Sequence, residues 1–98
     1  MRMLLKVSPR GEVGNKAVAD GTMGRVLGQF MEKHKPEAAY FTVEHGERMA
    51  YMVFDLKDVA HLPAIMEPFW NDMGATVDYH PVMNGEDLQR GLAALKSH

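Results

Sequence analysis

The stretch "EAAYFTVEHGERMAYMVFDL", residues 37–56, constrains the fold more than any other part of the chain. Two runs of aliphatic, aromatic and β-branched residues flank His45-Gly46, the pattern of a hairpin with a two-residue loop. A type I′ turn needs positive φ at both loop positions. Gly46 adopts it freely, and histidine tolerates it better than most residues. A loop of this length also sets the register. Ala39 then faces Met52, Phe41 faces Ala50 and Val43 faces Arg48 on one side. Ala38 faces Val53, Tyr40 faces Tyr51 and Thr42 faces Met49 on the other. One face is aliphatic with Phe41 and Phe54; the other carries both tyrosines. A slip by one residue would mix the two sets, which argues for this register.

The flanking segments complete an alternation of strands and helices. "RMLLKVS" (2–8) alternates Met3, Leu5 and Val7 with Leu4, Lys6 and Ser8 and reads as a strand, ended by Pro9 and Gly11. Residues 12–35 read as helix with a break at Asp20-Gly21-Thr22, where Gly21 ends one segment and Thr22 caps the next. Met23, Val26, Leu27 and Phe30 share one helical face, and Pro36 stops the helix. "KDVAHLPAIMEPFWNDM" (57–73) is a helix with Asp58 as its cap. Leu62, Ile65, Met66 and Phe69 form its buried stripe, and Pro68 is expected to kink it. "GATVDYHPVM" (74–83) is a strand, and Pro81 places it at a sheet edge or strand end. "NGED" opens a last helix, with Asn84 as cap, Asp87 closing the box, and Leu88, Leu92 and Leu95 as an apolar seam.

Composition narrows the class. The chain has 98 residues, 46% of them hydrophobic, which suits a single domain over 1–98 with one core. It has no cysteine, and so no disulfide frame, thiolate nucleophile or cysteine-based metal site. The formal net charge is −2, with lysines and arginines scattered, so the basic stripe of a nucleic-acid binder is missing. No apolar run approaches the ~20 residues of a membrane span. The N-terminal "MRMLLKVSPRGE" lacks the h-region of a signal peptide, which makes a cytoplasmic location the expectation.

The order β-α-β-β-α-β plus a C-terminal helix is the split βαβ, or ferredoxin-like, arrangement of the α+β class. Its strand order is 4-1-3-2, and right-handed crossovers put both main helices on one face. Val77 and Tyr79 are then expected to pack toward Phe41 and Phe54. The opposite face holds Leu4, Lys6, Ala38, Tyr40, Thr42, Met49, Tyr51, Val53, Thr76, Asp78 and His80. That mixture is too apolar for open water and too polar for a plain core, and pairing two such faces makes a homodimer. The plan resembles the dimeric α/β-barrel superfamily, in which two ferredoxin-like sheets face each other. The string "KPEAAYF…VFDLKD…PAIMEP…PVMNGEDL" also resembles a group of small, uncharacterised bacterial proteins of that fold. The resemblance implies a fold and no single activity, because the superfamily includes cofactor-free monooxygenases, haem-degrading enzymes, isomerases and sensor domains.

Four constellations carry the possible chemistry. The first is Lys6, Tyr40, Tyr51, Asp78 and His80 on the open sheet face. Asp78 can orient His80 as a catalytic base while Lys6 and the tyrosines bind a ligand oxygen. The plainer alternative is an interface with a Lys6–Asp78 salt bridge and a hydrogen-bonded His80. The second is a metal site built on Asp78 and His80 with His45 or His61. No dense ligand spacing supports it, and no metal or cofactor is expected. The third is Trp70 with His80, two residue types of the haem-degrading branch. Strand 1 offers no matching asparagine, and His80 lies on a strand where that branch uses a helix. The fourth is Gly21, Gly24 and Gly28 along one side of the first helix, where a neighbouring helix, such as the C-terminal one, is expected to approach closely in preference to a ligand phosphate. Nine methionines, among them Met49, Met52, Met66, Met73 and Met83, are expected to fill irregular gaps.

The reading favoured by these residues is a homodimer that binds a small organic ligand at the sheet face. The alternatives are a structural or sensor dimer without catalysis and a cofactor-free monooxygenase-like enzyme using His80 and the tyrosines. Neither nucleic acid nor membrane is an expected partner.

Overall fold

The computed structural model describes residues 1–96. The elements run β1 (Arg2–Pro9), α1 (Gly11–Ala19), α2 (Thr22–His34), β2 (Ala38–Glu44), β3 (Glu47–Asp55), α3 (Leu62–Met73), β4 (Ala75–Pro81) and α4 (Gly85–Leu95). The four strands form one antiparallel sheet in the order β2-β3-β1-β4, an α+β arrangement that fits the expected ferredoxin-like order. β4 is an edge strand ending at Pro81.

The hairpin forms as its sequence dictates. His45 and Gly46 have φ of 54° and 77°, and the pairs run from Ala38 opposite Val53 to Glu44 opposite Glu47. Strand parity then sorts the side chains. Met3, Leu5 and Val7 of β1 and Ala50, Met52 and Phe54 of β3 are buried beneath the helices. Val26, Leu27 and Phe30 of α2 and Leu62, Ile65, Met66 and Phe69 of α3 close over them. Each fully buried side chain of this size contributes roughly 1.5–3 kcal/mol. At the centre, Phe30 meets Phe54 edge-on at 5.3 Å and Phe69 at 5.9 Å, tying both helices to the sheet.

Several local expectations change. Thr22 does not cap α2: the Asp20 carboxylate accepts from the Thr22 amide, and Gly21 turns the chain at φ 85°. Asp58 caps a 3₁₀ turn, Val59–His61, that leads into α3, accepting from the Ala60 amide. Phe41 lies on the opposite edge of the sheet from Val77 and Tyr79, because β2 and β4 are the two outer strands. It is 57% exposed and lines a cleft of about 340 Å³ with Met23, Leu27 and Met73. Among the methionines, Met52, Met66 and Met73 are buried, whereas Met83 is exposed.

The glycines that matter are not the ones the helical spacing suggests. Among the described residues, nothing lies within 4 Å of where a Cβ would stand on Gly21, Gly24 or Gly28, so no described helix approaches closely there. Close approach occurs at Gly14, where a Cβ would come 2.7 Å from the Pro9 carbonyl carbon. α1 turns back on the end of β1 with only a hydrogen atom between them. Opposite signs are therefore expected in urea unfolding. Gly28→Ala should stabilise by about 0.5–1 kcal/mol through helix propensity. Gly14→Ala should destabilise by about 1–3 kcal/mol, since backbone must move to admit the methyl group.

α4 stands apart. Its capping box is complete, with the Asn84 side chain accepting from the Asp87 amide and Asp87 accepting from the Asn84 amide. Yet none of its residues is buried, and Leu88, Leu92 and Leu95 are 46%, 52% and 68% exposed. The molecule measures 54 × 28 × 18 Å, with a radius of gyration of 15.6 Å. A compact chain of ~100 residues has about 13 Å, so the helix extends the body. Among the described residues, no helix is long and apolar enough to cross a membrane.

Candidate functional site

Strand pairing sets the order of side chains across the sheet face turned away from the helices. One row runs Tyr40, Tyr51, Lys6, Asp78; the next runs Ala38, Val53, Leu4, His80. His80 therefore shares a side with Lys6 and Tyr40, as parity predicts. Tyr40 is 71% exposed, while Leu4, Lys6, Met49, Tyr51 and Val53 are half-buried by their neighbours alone.

Only part of the predicted constellation comes together. The Tyr51 hydroxyl donates to Glu44, and Lys6 Nζ lies 3.9 Å from the same carboxylate. That ammonium also sits 5.6 Å from the centre of the Tyr51 ring, within cation–π range. The phenol's hydrogen bond, helped by Lys6, holds the Glu44 carboxyl below the ordinary range. The same bond raises the Tyr51 phenol. Glu44 was missed by sequence reasoning. The available signal was its parity with Tyr40 and Thr42; what could not be read was how far the Tyr51 side chain leans along the strand.

Asp78 stands opposite Lys6 in register, but Lys6 turns to Glu44, and among the described residues of the single chain the Lys6–Asp78 salt bridge of the interface alternative is not present. Among the described residues, His80 has no side-chain hydrogen bond or ion pair, to Asp78 or to any other group. A base without an orienting partner lacks half of the geometry that proton transfer uses. On this face the single chain brings together a neutral phenol, an ammonium and a carboxylate among apolar side chains.

The Tyr51–Glu44 bond sets its own pH window. A lowered carboxyl contributes stability above the ordinary glutamate range (~4.3) and loses it as pH falls; a raised phenol contributes below the ordinary phenol range (~10) and loses it as pH rises. Glu44→Gln is expected to return the Tyr51 phenol toward its ordinary value, read as phenolate absorbance in an alkaline titration. An unchanged titration would show that the contact does not hold the proton.

The remaining candidates are separated. His45 is at the hairpin tip, beside the edge strand opposite β4, and His61 lies before α3 on the helix side. No group of three or more His, Cys, Asp or Glu able to hold a metal occurs among the described residues. Trp70, 45% exposed on α3, is on the helix layer and His80 on the other side of the sheet, so they share no site.

A feature not anticipated from the sequence is a cleft of about 370 Å³ between α2 and α3. Val26, Phe30, Ile65 and Phe69 line it, with Lys33, His34 and His61 among its polar groups. The legible signal was Phe30 and His34 one turn apart; the partnership with His61 required the helix packing. The chain matches no protein-family model, and no curated protein matches it.

Proposed function

We propose that the protein is a homodimeric ligand-binding module. Two ferredoxin-like units meet through their open sheet faces, in the manner of a dimeric α/β barrel, and hold a small organic molecule near Lys6, Tyr40, Tyr51 and His80. The observation that carries this reading is the half-apolar sheet face turned away from α1, α2 and α3, where Tyr40 is 71% exposed and Leu4, Met49, Tyr51 and Val53 are only half-buried, accompanied by an α4 with an exposed leucine seam.

Arg2 has the parity of Leu4 and Lys6, and its guanidinium reaches Asp87 at 3.3 Å, which brings the start of α4 to that side of the sheet. An isolated helix of this length is marginal in water, so its leucines call for a packing partner. The chain itself supplies none among the described residues. A second copy offers both missing surfaces at once. The polar groups fit the same reading: Asp78 has no cation partner in its own chain among the described residues, and Lys6 is only loosely held by Glu44.

Native mass spectrometry of freshly purified protein tests both parts. Twice the chain mass with an added small molecule is expected. A dimer that carries nothing and fills its own interface would favour the structural or sensor alternative, and a monomer at micromolar concentration would end the reading.

A further inference from the structure

We propose that the cleft between α2 and α3 is a second binding site, for a small amphiphilic anion. The ligand would be an alkyl or aryl carboxylate, its apolar part on Phe30, Ile65 and Phe69 and its carboxylate facing Lys33, His34 and His61. This site lies on the helix side and does not depend on the sheet-face reading.

The volume, about 370 Å³, falls in the range of small-molecule pockets, and the division into an apolar floor and a few polar groups is the usual one. The polar part has one sign. Lys33 and His34 come from the last turn of α2, and His61 from the turn before α3. Among the described residues, no carboxylate lines the cleft. Asp58, the nearest acid to His61 along the chain, uses its Oδ1 to accept from the Ala60 amide. Three cationic or protonatable groups facing one cavity without a counter-charge favour an anion there.

His34 is the informative residue. Its ring packs against Phe30 at 4.9 Å and Phe54 at 5.7 Å, which fixes its place. It is half-buried, has no hydrogen-bond partner among the described residues, and has no nitrogen that is fully buried. An inert core histidine would bond to backbone or a neighbouring side chain; this one keeps its nitrogens available at the cleft. Burial first, then the charges of Lys33 and His61, push its pKa down. A bound carboxylate offsets these effects, because its negative charge stabilises the imidazolium that burial and the neighbouring cations disfavour. Binding is therefore linked to proton uptake, and affinity rises as pH falls through the ordinary imidazole range. A metal ion is the poorer fit, because Lys33 would repel it and no carboxylate is present to help hold it.

Sodium octanoate is a suitable probe, titrated into isotopically labelled protein and followed by backbone amide and imidazole NMR signals. Shifts are expected to cluster on Val26–His34 and Ala60–Phe69. Binding at about pH 6 should be at least ~5-fold tighter than at about pH 8, with the His34 titration moving upward on saturation. Lys33→Ala and His61→Gln alter exposed side chains, so the fold should survive, which the variants' own spectra verify. Each should weaken octanoate binding roughly 2–5-fold, the range of a single solvent-exposed charge contact. Octanol, with the same tail and no charge, should bind at least ~5-fold more weakly. Shifts confined to the sheet face, equal binding of octanol, a pH-independent affinity, or no shifts at millimolar octanoate would each overturn the proposal.

Discussion

In the proposed dimer, Leu92→Asp is expected to abolish association at micromolar concentration, and Tyr40→Asp to act in the same direction. Both side chains are largely exposed in the single chain, at 52% and 71%. Neither change should therefore alter the stability of an isolated subunit by more than about 0.5 kcal/mol. In an interface, the same substitutions bury an unpaired carboxylate, which costs several kcal/mol. A loss of about 3 kcal/mol corresponds to roughly 100-fold in the dissociation constant. Ala93→Glu serves as control, because at ~100° per residue it points well away from the Leu88–Leu92–Leu95 seam. Sedimentation equilibrium reads all four proteins. A monomeric wild type, or variants that associate as tightly as wild type, would contradict the proposed assembly; dissociation by Tyr40→Asp alone would place the interface on the sheet without α4.

Phe54→Ala should produce the largest loss of stability, about 3–5 kcal/mol in urea unfolding followed by circular dichroism. Phe54 is 1% exposed, and its ring is the floor against which Phe30 and His34 both pack. Truncation leaves a cavity between sheet and helix layer that rigid neighbours on β1 and α3 cannot fill by collapse. Total stability of a domain this size is typically ~5–15 kcal/mol, so the variant should be near the limit of folding. It also opens the environment that lowers the His34 pKa, which should rise toward its ordinary value in any folded fraction. A loss under about 1 kcal/mol would show that the aromatic cluster is not the centre of the core.

How much of this was legible in the sequence follows from the range of the physics involved. The hairpin was legible to the residue, because a two-residue loop and a period of two leave no freedom: once His45 and Gly46 take positive φ, every pair from Ala38–Val53 onward follows. The strand order and the sides taken by His80, Lys6 and Tyr40 were legible for the same reason, through parity and the handedness of crossovers. The Asn84–Asp87 capping box was equally local.

What failed depended on distances between elements. The glycine spacing at Gly21, Gly24 and Gly28 gave a plausible contact face, yet the near-contact is at Gly14, where α1 folds back on Pro9. Helical periodicity shows which residues share a side and says nothing about what lies opposite. Lys6 stands opposite Asp78 in register, yet its ammonium lies beside Glu44, the carboxylate that the Tyr51 hydroxyl also reaches by leaning along the strand. The α2–α3 cleft arises from two helices that the sequence places far apart, and its charge comes from residues that look like ordinary helix-end histidines and lysine. The sequence by itself determined the elements, their pairing and the face each strand residue takes, because those are set by local geometry of period two or 3.6. The tertiary structure alone decided which charges meet, where space remains between helices, and that α4 leaves the body of its own chain, because these depend on side-chain reach and packing across elements distant in sequence.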